Sequence, residues 1–127
     1  MILFTPGNFL AVATGAALGA ILRWVLGIAF NQASWPWGTL LANCLGGLLI
    51  GMLIGFFSIN EHTPVWLRLF LVTGFLGGLT TFSTFSAETL QFFLKGQWLW
   101  AGAYIGISLT STLLLTAAGM WLIQQFK

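Results

Sequence analysis

Thr73-Gly74-Phe75-Leu76-Gly77-Gly78-Leu79-Thr80-Thr81-Phe82-Ser83-Thr84-Phe85-Ser86 lies in the middle of an apolar run of 30 residues, from Val65 to Leu94. As one continuous helix that run would be about 45 Å long, against roughly 30 Å of bilayer hydrocarbon. Each glycine weakens a helix by about 1 kcal/mol relative to alanine. Gly74, Gly77 and Gly78, flanked by Thr73, Thr80 and Thr81, therefore predict an unwound segment at mid-membrane. Irregular backbone at that depth has to line a cavity or bind something, because a bare carbonyl in lipid costs several kcal/mol. Freed carbonyls are good ligands for a small hard cation. The alternative is a continuous helix whose glycines form a packing face.

Phe82 and Phe85 follow at i and i+3, so their rings share one helical face. Stacked phenyls usually face lipid or a core. Here Thr81, Ser83, Thr84 and Ser86 make the segment too polar for lipid. A phenyl edge is weakly positive, so a bare anion can use ring edges where a cation would use faces.

Composition extends this reading to the whole chain. Lys, Arg, Asp and Glu make up 5% of its 127 residues, against about 25% in an average soluble domain. Hydrophobic residues make up 58%, and a soluble fold of this size cannot hide so much apolar surface. The chain is predicted to be an all-α integral membrane protein, residues 1–127 forming a single four-helix domain. Its spans are expected at about 8–29, 38–58, 65–94 and 98–123. The seven tryptophans cluster near span ends, as in an aromatic belt. The first span has no basic leader and is too long for a signal peptide, so it is expected to be retained. A net charge of +2 makes no phosphate-binding footprint, which excludes a nucleic-acid partner. Cys44, the one cysteine, lies in an apolar run and reads as a small packing residue.

With four spans, Arg68 and Lys127 fall on one side of the membrane and Arg23 and Lys95 on the other. That balance gives no preferred orientation under the positive-inside rule. Either four charges are too few to decide, or the chain inserts both ways and pairs as an antiparallel, dual-topology homodimer. Gly15/Gly19, Gly47/Gly51, Gly51/Gly55, Gly74/Gly78 and Gly102/Gly106 have the spacing that lets helices approach closely, within one subunit or between two.

Polar residues inside the spans are few and ordered. Tyr104, Ser108, Thr112 and Thr116 recur every fourth residue, a slowly winding hydroxyl stripe about 18 Å long. Asn43 is the strongly polar side chain deep in the second span. Its amide either ties two helices together or donates to an anion. Arg23 and Glu88 are the ionisable residues within spans and are functional candidates by default. Arg23 either snorkels from its helix end or draws an anion into a vestibule. Glu88 is suited to bond hydroxyls or a backbone end and poorly placed to help an anion. One His, two acids and one Cys make neither a metal cluster nor a nucleophile with its base, so no enzyme is expected.

The stretch from Gly74 to Ser86 closely resembles the signature of the Fluc (CrcB) fluoride channels. Gly38-Thr39-Leu40 with Asn43 and Gly46-Gly47 resembles that family's second helix, and Gly19 with Arg23-Trp24 its first. The resemblance implies four helices per subunit with the third broken, and an antiparallel homodimer in the lipid bilayer. It further implies two fluoride pores and a structural sodium ion at the centre, with no organic cofactor. By position it makes Asn43 the pore amide, Phe82 and Phe85 the pore phenylalanines, and Tyr104, Ser108 and Thr112 the polar track. The carbonyls of Gly77 and Thr80, two from each subunit, would hold sodium, and Arg23 would be a vestibule arginine. The implied location is the bacterial inner membrane, and the implied function is passive export of fluoride.

Two other classes fit four short spans. A small multidrug or cation antiporter needs a carboxylate in its first span, where this chain has Arg23 and no acid. A non-transporting structural membrane protein would have no use for a broken span, a hydroxyl stripe and a phenylalanine pair together.

Overall fold

A computed structural model describes residues 3–126. Among these residues, four helical spans are long and apolar enough to cross a membrane. The first is α1 (Pro6–Phe30), started by Pro6 in its first turn and by Thr5, whose side chain accepts from Asn8 N–H at 3.2 Å. A tight turn through Gln32–Trp35 leads to α2 (Trp37–Ile59), which begins after Pro36. Proline offers no side-chain acceptor to cap α2. Asn31 Oδ1 supplies one instead, accepting from Thr39 N–H at 3.1 Å.

The third span is built in pieces. These are α3 (Val65–Arg68), a π-helical stretch (Leu69–Leu76), α4 (Gly77–Leu79) and α5 (Phe82–Leu94). Thr80 and Thr81 between α4 and α5 are extended, with ψ of 151° and 124°. Lys95-Gly96-Gln97 then turns the chain into α6 (Trp98–Gln124), with Gly96 at φ +73°.

The predicted interruption is present, confined to the last two residues of the expected segment. The glycines stay helical, and the two threonines are the unwound residues. The glycines have another use. A Cβ on Gly19 would overlap Phe75 O and Leu79 N, and one on Gly78 would overlap Ala16 O. Gly15 and Gly74 meet in the same way, so α1 lies backbone to backbone on the third span just ahead of the break. Likewise Gly47, Gly51 and Gly119 bring α2 and α6 together. The close-packing pairs are therefore spent within the subunit, except on α6. There Gly102 and Gly106 have nothing within 4 Å of an added Cβ, which leaves a smooth outer face.

α2 is the central helix: it buries Gly38, Thr39, Leu40, Ala42, Gly46, Gly47, Gly51 and Gly55. α6 runs along it, α1 covers its start, and α5 packs on α6. Large apolar side chains such as Ile21, Ile28, Leu113 and Trp121 point outward, as lipid contact requires. An aromatic cluster of Trp35, Trp100, Phe92, Phe85 and Tyr104 fills the end of the subunit where α2 and α6 begin.

Candidate functional site

Breaking a helix strips its carbonyls of their partners, and the fate of each carbonyl defines the site. Leu76 O accepts twice, from Thr80 N–H at 3.0 Å and from the Thr80 hydroxyl at 2.8 Å. Gly78 O accepts from Arg23 Nε at 3.0 Å. Thr81 is gripped from α2: its N–H donates to Asn43 Oδ1 at 2.8 Å, and its carbonyl accepts from Asn43 Nδ2 at 3.2 Å. The Thr81 hydroxyl then caps α5 by accepting from Thr84 N–H at 3.1 Å. Among the described residues, no side-chain hydrogen bond and no backbone bond between elements ends on Gly77 O or Thr80 O.

Gly77 and Thr80 border an open groove of about 710 Å³ that runs between the break, α2 and α6. Asn43, Phe82, Phe85, Ser108 and Thr112 line the same groove. Among the described residues, no Lys, Arg, His, Asp or Glu borders it. Phe82 is 81% exposed along it, with its ring centroid 5.8 Å from that of Phe85. The Ser108 hydroxyl is buried without a hydrogen-bond partner. The Thr116 hydroxyl is engaged by backbone carbonyls, at 2.9 Å from Gly47 O and 3.0 Å from Thr112 O. Asn43 has one N–H committed to Thr81, which leaves its second amide hydrogen for the groove.

Tyr104 stands apart from the other stripe residues. It is fully buried, packs its ring 5.0 Å from Phe85, and is absent from the groove lining. Its hydroxyl donates to Glu88 Oε1 at 2.9 Å, while Thr39 Oγ1 donates to Glu88 Oε2 at 2.9 Å. Glu88 therefore bonds hydroxyls, as its position suggested. A smaller cavity of about 110 Å³ lies behind it, bordered by Asn31, Trp35, Gln91 and Lys95.

Asn43 ties α2 to the break, one of the two roles expected of it, but its partner Thr81 was not foreseen, nor were Arg23 on Gly78 and Thr39 on Glu88. A signal for the first two existed. A broken span needs donors at mid-membrane, and Arg23 and Asn43 are the strongest donors that the first two spans carry. Thr39 gave no signal beyond being a hydroxyl residue near the start of a span.

Four apolar helices, a broken third span and a groove of uncharged donors beside free carbonyls define a small multi-pass membrane protein. Its groove is largely apolar, with a few uncharged hydrogen-bonding side chains set among aliphatic and aromatic ones. Among the described residues no three His, Cys, Asp or Glu side chains converge to hold a metal. Residues 10–120 match the family model described as CrcB-like protein, Camphor Resistance (CrcB). A protein of Bordetella bronchiseptica named fluoride-specific ion channel FluC is 54% identical over 120 residues, 94% of each chain. The protein of the same name from Bordetella avium is 55% identical over 118 residues, 93% of this chain and 94% of its own. One from Tolumonas auensis is 50% identical over 115 residues, 89% of this chain and 91% of its own. The chain belongs to the CrcB-like family.

Proposed function

We propose that this protein is a passive, fluoride-selective channel of the bacterial inner membrane that lets toxic fluoride leave the cytoplasm. The observation that carries the reading is the groove: Asn43, Phe82, Phe85, Ser108 and Thr112 share its lining, and no charged residue among the described ones joins them. Fluoride is small and strongly hydrated, and stripping its water into a low dielectric costs tens of kcal/mol in a Born estimate. A row of donors offsets that cost, and successive weak sites let the ion move on. The unpartnered Ser108 hydroxyl and the spare Asn43 N–H are such donors. The edges of Phe82 and Phe85 add positive rims. A fixed cation in the path would trap the ion, and the groove has none. Direction follows from acid–base chemistry. HF crosses the membrane as a neutral acid and ionises inside, and fluoride then runs out down its own gradient.

The working unit on this reading is an antiparallel, dual-topology homodimer with two pores. The groove of one subunit is open, and the largely exposed Phe82 calls for a second copy to close it. The even split of the four basic residues supports insertion in both orientations. The free carbonyls of Gly77 and Thr80 fit a small hard cation, and those of two subunits together would hold a structural sodium ion. Bound there, sodium would supply fixed positive charge at the edge of the groove, held by backbone carbonyls and not among the donors of Asn43, Ser108 and Thr112. Phe82→Ile with Phe85→Ile tests the pathway: the protein should assemble normally, and fluoride efflux from liposomes should vanish. Unchanged efflux would refute the assignment of the two rings.

A further inference from the structure

We infer that Arg23 is a positioning residue: its Nε–H takes the place of the missing helical donor at Gly78 and so holds the third span in its broken form. In a continuous helix Gly78 O would accept from the amide of Phe82, four residues on. The extended pair Thr80–Thr81 carries Phe82 out of that position. Arg23 Nε meets the carbonyl instead, at 3.0 Å from a residue 55 positions away.

The reach is short because of what lies one turn earlier on α1. Gly19 shares a face with Arg23 and lets α1 press onto Phe75 O and Leu79 N. Gly78 in turn lies against Ala16 and Ala20. The bond and the glycine contact are thus one device: α1 docks backbone to backbone and places the guanidinium at the orphaned carbonyl. Asn43 performs the matching task at Thr81 from α2. With the carbonyls of Gly78 and Thr81 taken, those of Gly77 and Thr80, residues that line the groove together with Thr81, keep no such partner. Arg23 thereby helps select which carbonyls stay free for a cation. That consequence rests on the reading of the previous section, whereas the cap itself does not.

A cap acts through an N–H donor, and a vestibule attractant acts through charge. Arg23→Gln separates them, because glutamine Nε2 sits the same number of bonds from Cα as arginine Nε and carries no charge. Arg23→Met removes both. The readout is amide hydrogen exchange of the segment Gly77–Phe85, measured by mass spectrometry on the full chain in lipid nanodiscs. Arg23→Gln should keep exchange within about twofold of the parent, and Arg23→Met should change it by about tenfold or more. Parental exchange in both variants, an equal change in both, or a change in the Gln variant alone would overturn the cap. Assembly is scored in the same way: loss with Met and retention with Gln supports it, and equal loss overturns it. The measurement needs no fluoride, so it stands apart from any failure of the channel reading.

Discussion

Replacing Asn43 with Asp probes the break and the groove together. The parent side chain accepts from Thr81 N–H at 2.8 Å and donates to Thr81 O at 3.2 Å. In Asn43→Asp the acceptor survives and the donor is lost. A second carboxylate oxygen then faces the Thr81 carbonyl. Loss of a polar contact between membrane helices costs about 0.6 kcal/mol, and up to about 1.7 kcal/mol. A carboxylate near the centre of a span adds about 2.5 to 3.5 kcal/mol by insertion scales. Together these come to about 3 to 5 kcal/mol, before any repulsion between the new charge and an anion in the groove. That cost falls on the break itself; an anion passing within about 4 Å of the new carboxylate is repelled by about 4 kcal/mol at an effective dielectric near 20, which slows passage more than about a hundredfold. The assay is fluoride release from loaded liposomes, followed with a fluoride electrode, with assembly checked by size-exclusion chromatography. Efflux within about twofold of the parent, from protein assembled equally well, would show that Asn43 neither holds the break nor borders the ion path.

Gly19→Ala places a methyl against Phe75 O and Leu79 N, and overpacking of this kind should cost about 1 to 3 kcal/mol. Thermal unfolding in detergent should show the loss. Gly102→Ala, with nothing within 4 Å of the new methyl, should leave the packing within a subunit intact. A melting temperature lowered equally by both would contradict the packing described for α1. Exchanging sodium for a large organic cation should lower the melting temperature, because an ion bound only to the folded form at about a hundred times its Kd adds about 2.7 kcal/mol. A melting curve indifferent to sodium would remove the cation from Gly77 and Thr80.

Much of this architecture could be read directly from the residues. Long apolar runs fix the spans, because a helix is the simplest way for such a run to satisfy its own backbone in lipid. The interruption was legible from its glycines and threonines, but which of them unwind was not. Glycine is weak in a helix, yet at Gly15, Gly19, Gly74 and Gly78 its value lies in close approach, which depends on a partner helix. The β-branched Thr80 and Thr81 become extended because Asn43, a residue 38 positions away, replaces the helical bonds of Thr81. No local pattern encodes that pairing.

The hydroxyl stripe was legible as a stripe and only partly as a lining. Four residues exceed one helical turn of 3.6, so the stripe winds by about 40° at each step. Ser108 and Thr112 face the groove, while Tyr104 has turned away to Glu88. A polar side chain that looked available in sequence can be consumed by an equally lone partner in the fold, as Asn43 and Arg23 also show.

The most direct test of fluoride conduction uses liposomes containing the unmodified protein, loaded with fluoride and given a potassium ionophore to balance charge. No proton gradient is imposed. A passive channel should discharge the trapped fluoride as soon as the ionophore is added, while protein-free liposomes hold theirs. Retention of fluoride, or release only when a proton gradient is applied, would contradict the proposed function.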